Sequence, residues 1–112
     1  MTVTVTVLIP AKTAEATQTT QYTSSGLTTV IDKFTATNYS AAAATISVNL
    51  VSGSDAAGNN NLIVKTKNLQ PGETYTFPEI VGQALAAGGF ISTIAGTASA
   101  INIRASGRTI TQ

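Results

Sequence analysis

Glu15, Asp32, Asp55, Glu73 and Glu79 are the five carboxylates of a chain that has no histidine and no cysteine. Those two absences remove most reaction chemistry. A Ser-His-Asp relay and a Cys-His pair both need an imidazole. Zinc, copper and haem sites draw on histidine or cysteine. Two carboxylates hydrolyse glycosides when they stand about 5–10 Å apart across a cleft. Here the five fall mostly in predicted turns and read as surface charge. The expectation is a chain that is not an enzyme, with no catalytic residue, no cofactor and no metal site.

The remaining polar clusters are weaker. Ser52-Gly53-Ser54-Asp55-Ala56-Ala57-Gly58-Asn59-Asn60-Asn61 is rich in oxygen, and Ca²⁺ takes about six to eight oxygen ligands. With Asp55 as its one carboxylate, it reads as a polar loop. Gly82 and Gly88-Gly89 lack the strand, turn, helix and lysine of a phosphate cradle. Asn38-Tyr39-Ser40 matches the glycosylation pattern, a coincidence in a chain with no expected export signal. Tyr22, Tyr39 and Tyr75 are too scattered to make a sugar-binding face. Arg104 and Arg108 are the better candidates, because a guanidinium can clamp a partner's carboxylate through two parallel hydrogen bonds.

Composition describes what must carry these residues. Charged residues make up 10% of the chain, against about 25% in average soluble proteins. The surface must therefore be Thr, Ser, Asn and Gln, which cost far less to desolvate than ammonium or carboxylate groups. Such a surface suits contact with other proteins. The hydrophobic fraction is 43% but the aromatic fraction only 5%. Small aliphatic side chains must build most of the core, with Phe34, Phe77 and Phe90 as its large pieces. The six basic residues are dispersed and the net charge is +1, so nucleic-acid binding is not expected. No apolar run approaches the ~20 residues of a membrane helix. The opening MTVTVTVLIP has no basic segment followed by a long apolar one, and synthesis in the cytoplasm is the expectation.

The patterning is that of strands. Thr2 to Val7 alternates Thr and Val, which puts valines on one face and threonines on the other. This strand is expected to stop at Pro10 and to pair with its own sheet or with a neighbouring subunit. Ala11 to Ala16 reads as loop and Thr17 to Thr23 as a strand. Leu27 to Asn38 is a long strand with Val30, Phe34 and Ala36 on one face. Asp32 breaks that parity, so either a bulge shifts the register near Asp32-Lys33, the favoured reading, or Asp32 is bonded internally. Ala43 to Ser52 points Ile46, Val48 and Leu50 inward. Leu62 to Lys67 follows, with Lys65 and Lys67 toward solvent. Gln70-Pro71-Gly72-Glu73 fits a type II turn. Thr74 to Phe77 is a short strand, Ile80-Val81 a brief one within a crossing loop, and Phe90 to Ala95 and Ser99 to Ser106 the last long pair. Thr109 to Thr111 extends the final strand. About eight short strands without a βαβ rhythm predict an all-β protein, a single β-sandwich or jelly-roll-like domain over residues 1–112.

One resemblance adds to this reading. Thr29-Val30-Ile31-Asp32-Lys33-Phe34-Thr35-Ala36-Thr37-Asn38, Leu69-Gln70-Pro71-Gly72-Glu73-Thr74-Tyr75, Pro78-Glu79-Ile80-Val81-Gly82, Phe90-Ile91-Ser92 and Ile103-Arg104-Ala105-Ser106-Gly107-Arg108 occur in an order and spacing that resemble small virion structural proteins of tailed bacteriophages. The resemblance covers about residues 20 to 108 and includes no catalytic motif. It implies a β-sandwich in the phage particle, often oligomeric, with capsid or other virion proteins as partners. The leading expectation is a capsid decoration (cement) protein. The alternative is a tail, neck, baseplate or fibre component, including a receptor- or glycan-binding module that reads its ligand through Gly53–Asn61. Val3, Val5, Val7, Arg104 and Arg108 are the candidate interface residues.

Overall fold

The computed structural model describes residues 1–111. Among these, nine strands form two antiparallel sheets packed face to face: β1 (Thr2–Thr13), β2 (Thr19–Thr23), β3 (Thr28–Asn38), β4 (Ala44–Val51), β5 (Leu62–Leu69), β6 (Thr74–Tyr75), β7 (Ala84–Leu85), β8 (Phe90–Ala95) and β9 (Ile101–Thr111). The first sheet runs β1-β9-β3-β6, with β7 also on β3, and the second runs β2-β8-β4-β5. The chain is an all-β sandwich, as the alternation predicts.

Between the sheets lie Ile9, Ile31, Phe34, Ala36, Ile101, Ile103 and Ala105 from one side and Ile46, Val48, Leu69, Ile91 and Ala95 from the other, all buried. Aromatic residues are scarce, and three of them are spent at one spot. Phe77 meets Phe34 edge-on at a centroid distance of 4.8 Å, and Tyr75 meets Phe77 in the same way, also at 4.8 Å. Both separations fall in the favoured range for edge-to-face pairs. Phe90, the third expected core piece, is only half-buried.

The bulge near Asp32 is present. β3 pairs Ile31 with Gly107 and Lys33 with Ser106, so one residue is extra. Its consequence for parity differs from the expectation at Val30. Ile31 rather than Val30 turns inward, and Val30 joins the outer face beside Arg108. The type II turn is also present: Gly72 has φ +80° and the Glu73 N–H donates to the Gln70 carbonyl at 3.0 Å.

Three further expectations are corrected. β1 continues through Pro10 to Thr13, taking in half of the expected Ala11–Ala16 loop. An outermost strand tolerates a missing N–H, and the register is irregular there, between Ile9 and Lys12. The brief strand after Pro78 is Ala84–Leu85, paired with Val30 and Thr29, not Ile80-Val81. Ile80 instead sits fully buried in the turn, its N–H bonded to the Phe77 carbonyl. Finally, Lys67 does not face solvent alongside Lys65. Thr66, at φ +45°, shifts the register so that Lys67 pairs with Ile46 and its ammonium sits 4.5 Å from the Tyr75 ring centroid.

Asn38 ties the sheets together at one end. It is fully buried, and its Nδ2 donates to the carbonyls of Ala42 at 2.8 Å and Leu69 at 2.9 Å. Its Oδ1 accepts from the Ser40 N–H and hydroxyl. The amide of the apparent glycosylation motif is thus a structural hub.

Candidate functional site

The outer face of the first sheet follows from β-pairing. Residues directly across a ladder share a face, so Val3, Ile110 and Thr28 form one row, Val5, Arg108 and Val30 the next, and Val7, Ser106 and Lys33 the third. Val3 is 49% exposed, Val5 81% and Val7 45%. Val30 and Ile110 are half-buried beside them. The alternation of β1 therefore points its valines to solvent, and its threonines share a face with Thr29 and Ile31. At the irregularity between Val7 and Ile9, β1 buries two consecutive apolar side chains, Leu8 and Ile9, in the core.

Arg108 lies in the middle row of this face. It is already engaged: Nε donates to Asp32 Oδ2 at 3.0 Å and Nη2 to Asp32 Oδ1 at 2.9 Å. The fork expected for a partner's carboxylate is closed on the chain's own bulge residue. That hydrogen bonding, together with the nearby charge, raises the guanidinium pKa above its ordinary value. Arg104 shares the face but stands four residues along β9, about 13 Å away at ~3.3 Å per residue. It pairs with Thr35, opposite the irregular stretch of β1 around Pro10, and is exposed. The structure thus brings Val3, Val5, Val7 and Arg108 together and leaves Arg104 apart. Val30, Ile110 and Asp32 complete the patch. Sequence patterning does not find them, because no local signal gives the register of β9 against β3.

β1 is also the outermost strand of its sheet, bonded to β9 on one side only. From Thr2 to Val7 the ladder is regular, and this stretch carries no charge.

The carboxylates hold local structure. Glu15 accepts from Lys12 Nζ at 2.8 Å and Gln21 Nε2 at 2.9 Å, and these bonds lower its pKa. Glu73 Oε1 accepts the Gln70 N–H across the turn. Glu79 accepts the Tyr75 hydroxyl. Among the described residues, no three carboxylates converge as metal ligands do.

The Gly53–Asn61 loop folds back over the second sheet. Asn49, buried on the outer side of β4, donates from Nδ2 to the Gly58 carbonyl and to Asn61 Oδ1, and Asn61 Nδ2 donates to the Ala56 carbonyl. Asn61 Oδ1 also receives the Gly58 N–H. Amides, rather than a ring of carboxylates, close this loop. Beside it a shallow groove of about 210 Å³ is lined by Gln18, Ser47, Asn49, Asn59, Lys65 and Thr66 among others.

Comparison with protein-family models, with curated proteins and with solved structures finds no match.

Proposed function

We propose that this chain is a non-enzymatic structural protein of a tailed-phage particle, a capsid decoration protein that binds across the seams between shell subunits. The observation that carries the reading is the outer face of the first sheet, where Val3, Val5 and Val7 stand in solvent beside Val30 and Ile110 and the nearby charge of Arg108 is matched by Asp32. Covering such a face removes apolar area from water at roughly 25 cal/mol per Å² and strips few charges of their hydration. The sequence resemblance supplies the setting. A ligand that binds only the assembled shell stabilises it by mass action, and many copies multiply a small effect.

Heating or osmotic shock of particles with and without this chain tests the role. Particles lacking it should rupture at lower temperature or milder shock. Equal rupture would remove the cement function.

A second reading, a receptor-binding module of a tail or fibre, draws on the groove beside the Gly53–Asn61 loop. Exposed loops on a rigid sheet are common recognition sites. Purified protein that binds host cells and not empty capsids would decide in its favour.

A further inference from the structure

We infer that the free edge of β1 pairs antiparallel with β1 of a second copy across a two-fold axis, joining two first sheets into one continuous sheet. The other sheet edges of the molecule are guarded. Exposed strand edges invite pairing, and proteins blunt them with short strands, lysines, bulges or proline. In this molecule β6 and β7 are two residues each and β2 is five. The edge strand β5 is eight residues long but carries Lys65, Lys67 and a register shift at Thr66. β1 is the exception. Its regular stretch Thr2–Val7 has no charge, no proline and no bulge, and Pro10 and the irregular positions lie beyond it.

The occupant follows from self-complementarity. In an antiparallel pair centred on Val5, Val3 meets Val7, Val5 meets Val5, and Thr4 meets Thr6. Shifting the centre to Thr4 still sets valine against valine and threonine against threonine. Cross-strand pairs of β-branched side chains are favourable, so one copy offers the other a matched strand on both faces. Charge does not oppose the approach. Arg108, opposite Val5 on the neighbouring strand, is matched by Asp32. A two-fold pairing also consumes both edges and closes the assembly as a dimer. Six ladder residues span about 20 Å and bury less than the ~1,200–2,000 Å² of a standard interface, so the free dimer dissociates on dilution. This inference does not rest on the virion reading and is tested without a capsid.

Sedimentation equilibrium of the full chain, over micromolar to millimolar concentration, is expected to show a monomer–dimer equilibrium. Val5→Lys and Val5→Glu alter an exposed side chain, and their circular dichroism should match the parent. Each alone is expected to weaken dimerisation at least tenfold, because like charges face each other across the axis. An equimolar mixture is expected to restore a heterodimer. Three results would overturn the pairing: a monomer at every concentration, dimerisation unchanged by both substitutions, or a mixture that stays monomeric.

Discussion

Arg108 on β9 grips Asp32 on β3 with a two-pronged ion pair, Nε to Oδ2 at 3.0 Å and Nη2 to Oδ1 at 2.9 Å. The acid is the surplus residue of a bulge, and the base lies in the row of Val5. Both side chains are nearly half exposed, so the pair acts on registry and local charge more than on global stability. Asp32→Asn is expected to lower the urea midpoint slightly at low salt. The deficit should vanish near 1 M salt, where screening acts within ~3 Å. A deficit insensitive to salt would assign the role of Asp32 to the bulge backbone instead.

Asn38 is the position where a small chemical change has the largest expected effect. Asn38→Ala removes the donor from two carbonyls, at a cost of about 1–3 kcal/mol for buried groups left unpaired. Asn38→Asp should cost more, because an oxygen then faces the Ala42 and Leu69 carbonyls that Nδ2 now serves. Urea denaturation of the two variants checks the ranking.

Gly107 has no room for a side chain. A Cβ there would collide with the Val30 carbonyl oxygen and press on Leu8 Cδ1. The crowding comes from β3 rather than from the glycine's own backbone. Gly107→Ala is expected to destabilise by about 1–3 kcal/mol, the usual penalty of overpacking. The loss should show in the thermal midpoint.

Tyr75 and Glu79 give a pH dependence with two limbs. The Tyr75 hydroxyl bond lowers the Glu79 pKa, and the same bond raises that of Tyr75. A lowered carboxylate stabilises the fold above its unfolded pKa, and this is lost as acid protonates it. A raised phenol stabilises below its unfolded value of about 10, and this is lost as alkali ionises it. Tyr75→Phe should therefore differ most from the parent near neutral pH and converge with it at both extremes. Thermal midpoints measured across pH test this, and a pH-independent difference would show that the Glu79 bond does not set the stability of this turn.

Much of the fold is legible in the sequence because the relevant signals are local. Period-two alternation marks β1, β4 and β9, Pro71-Gly72 marks its turn, and Asp32 on an apolar parity marks the bulge. What the chain hides is relational. Pro10 looks like a stop until β1 is known to be an outer strand. Asn38-Tyr39-Ser40 looks like a modification motif until Asn38 is found buried between Ala42 and Leu69. Likewise Arg108 looks available until the β9–β3 register sets it beside Asp32. At Lys67 the deciding detail is the positive φ of Thr66, which residue type alone does not announce. The candidate face was half visible for the same reason: Val3, Val5 and Val7 share one segment, whereas Val30 and Ile110 reach it through pairing.

The length of β1 and β9 carries a mechanical consequence. Their ladder runs from Thr2↔Thr111 to Thr13↔Asn102, ending beside the buried core at Ile9 and Ile103. A tug along the strand axis loads these bonds side by side, in shear, so they must yield together. A tug across the strands unzips them singly, beginning at the solvent-exposed end. Whatever holds this molecule by β1 grips it most firmly when the strain runs parallel to the strand.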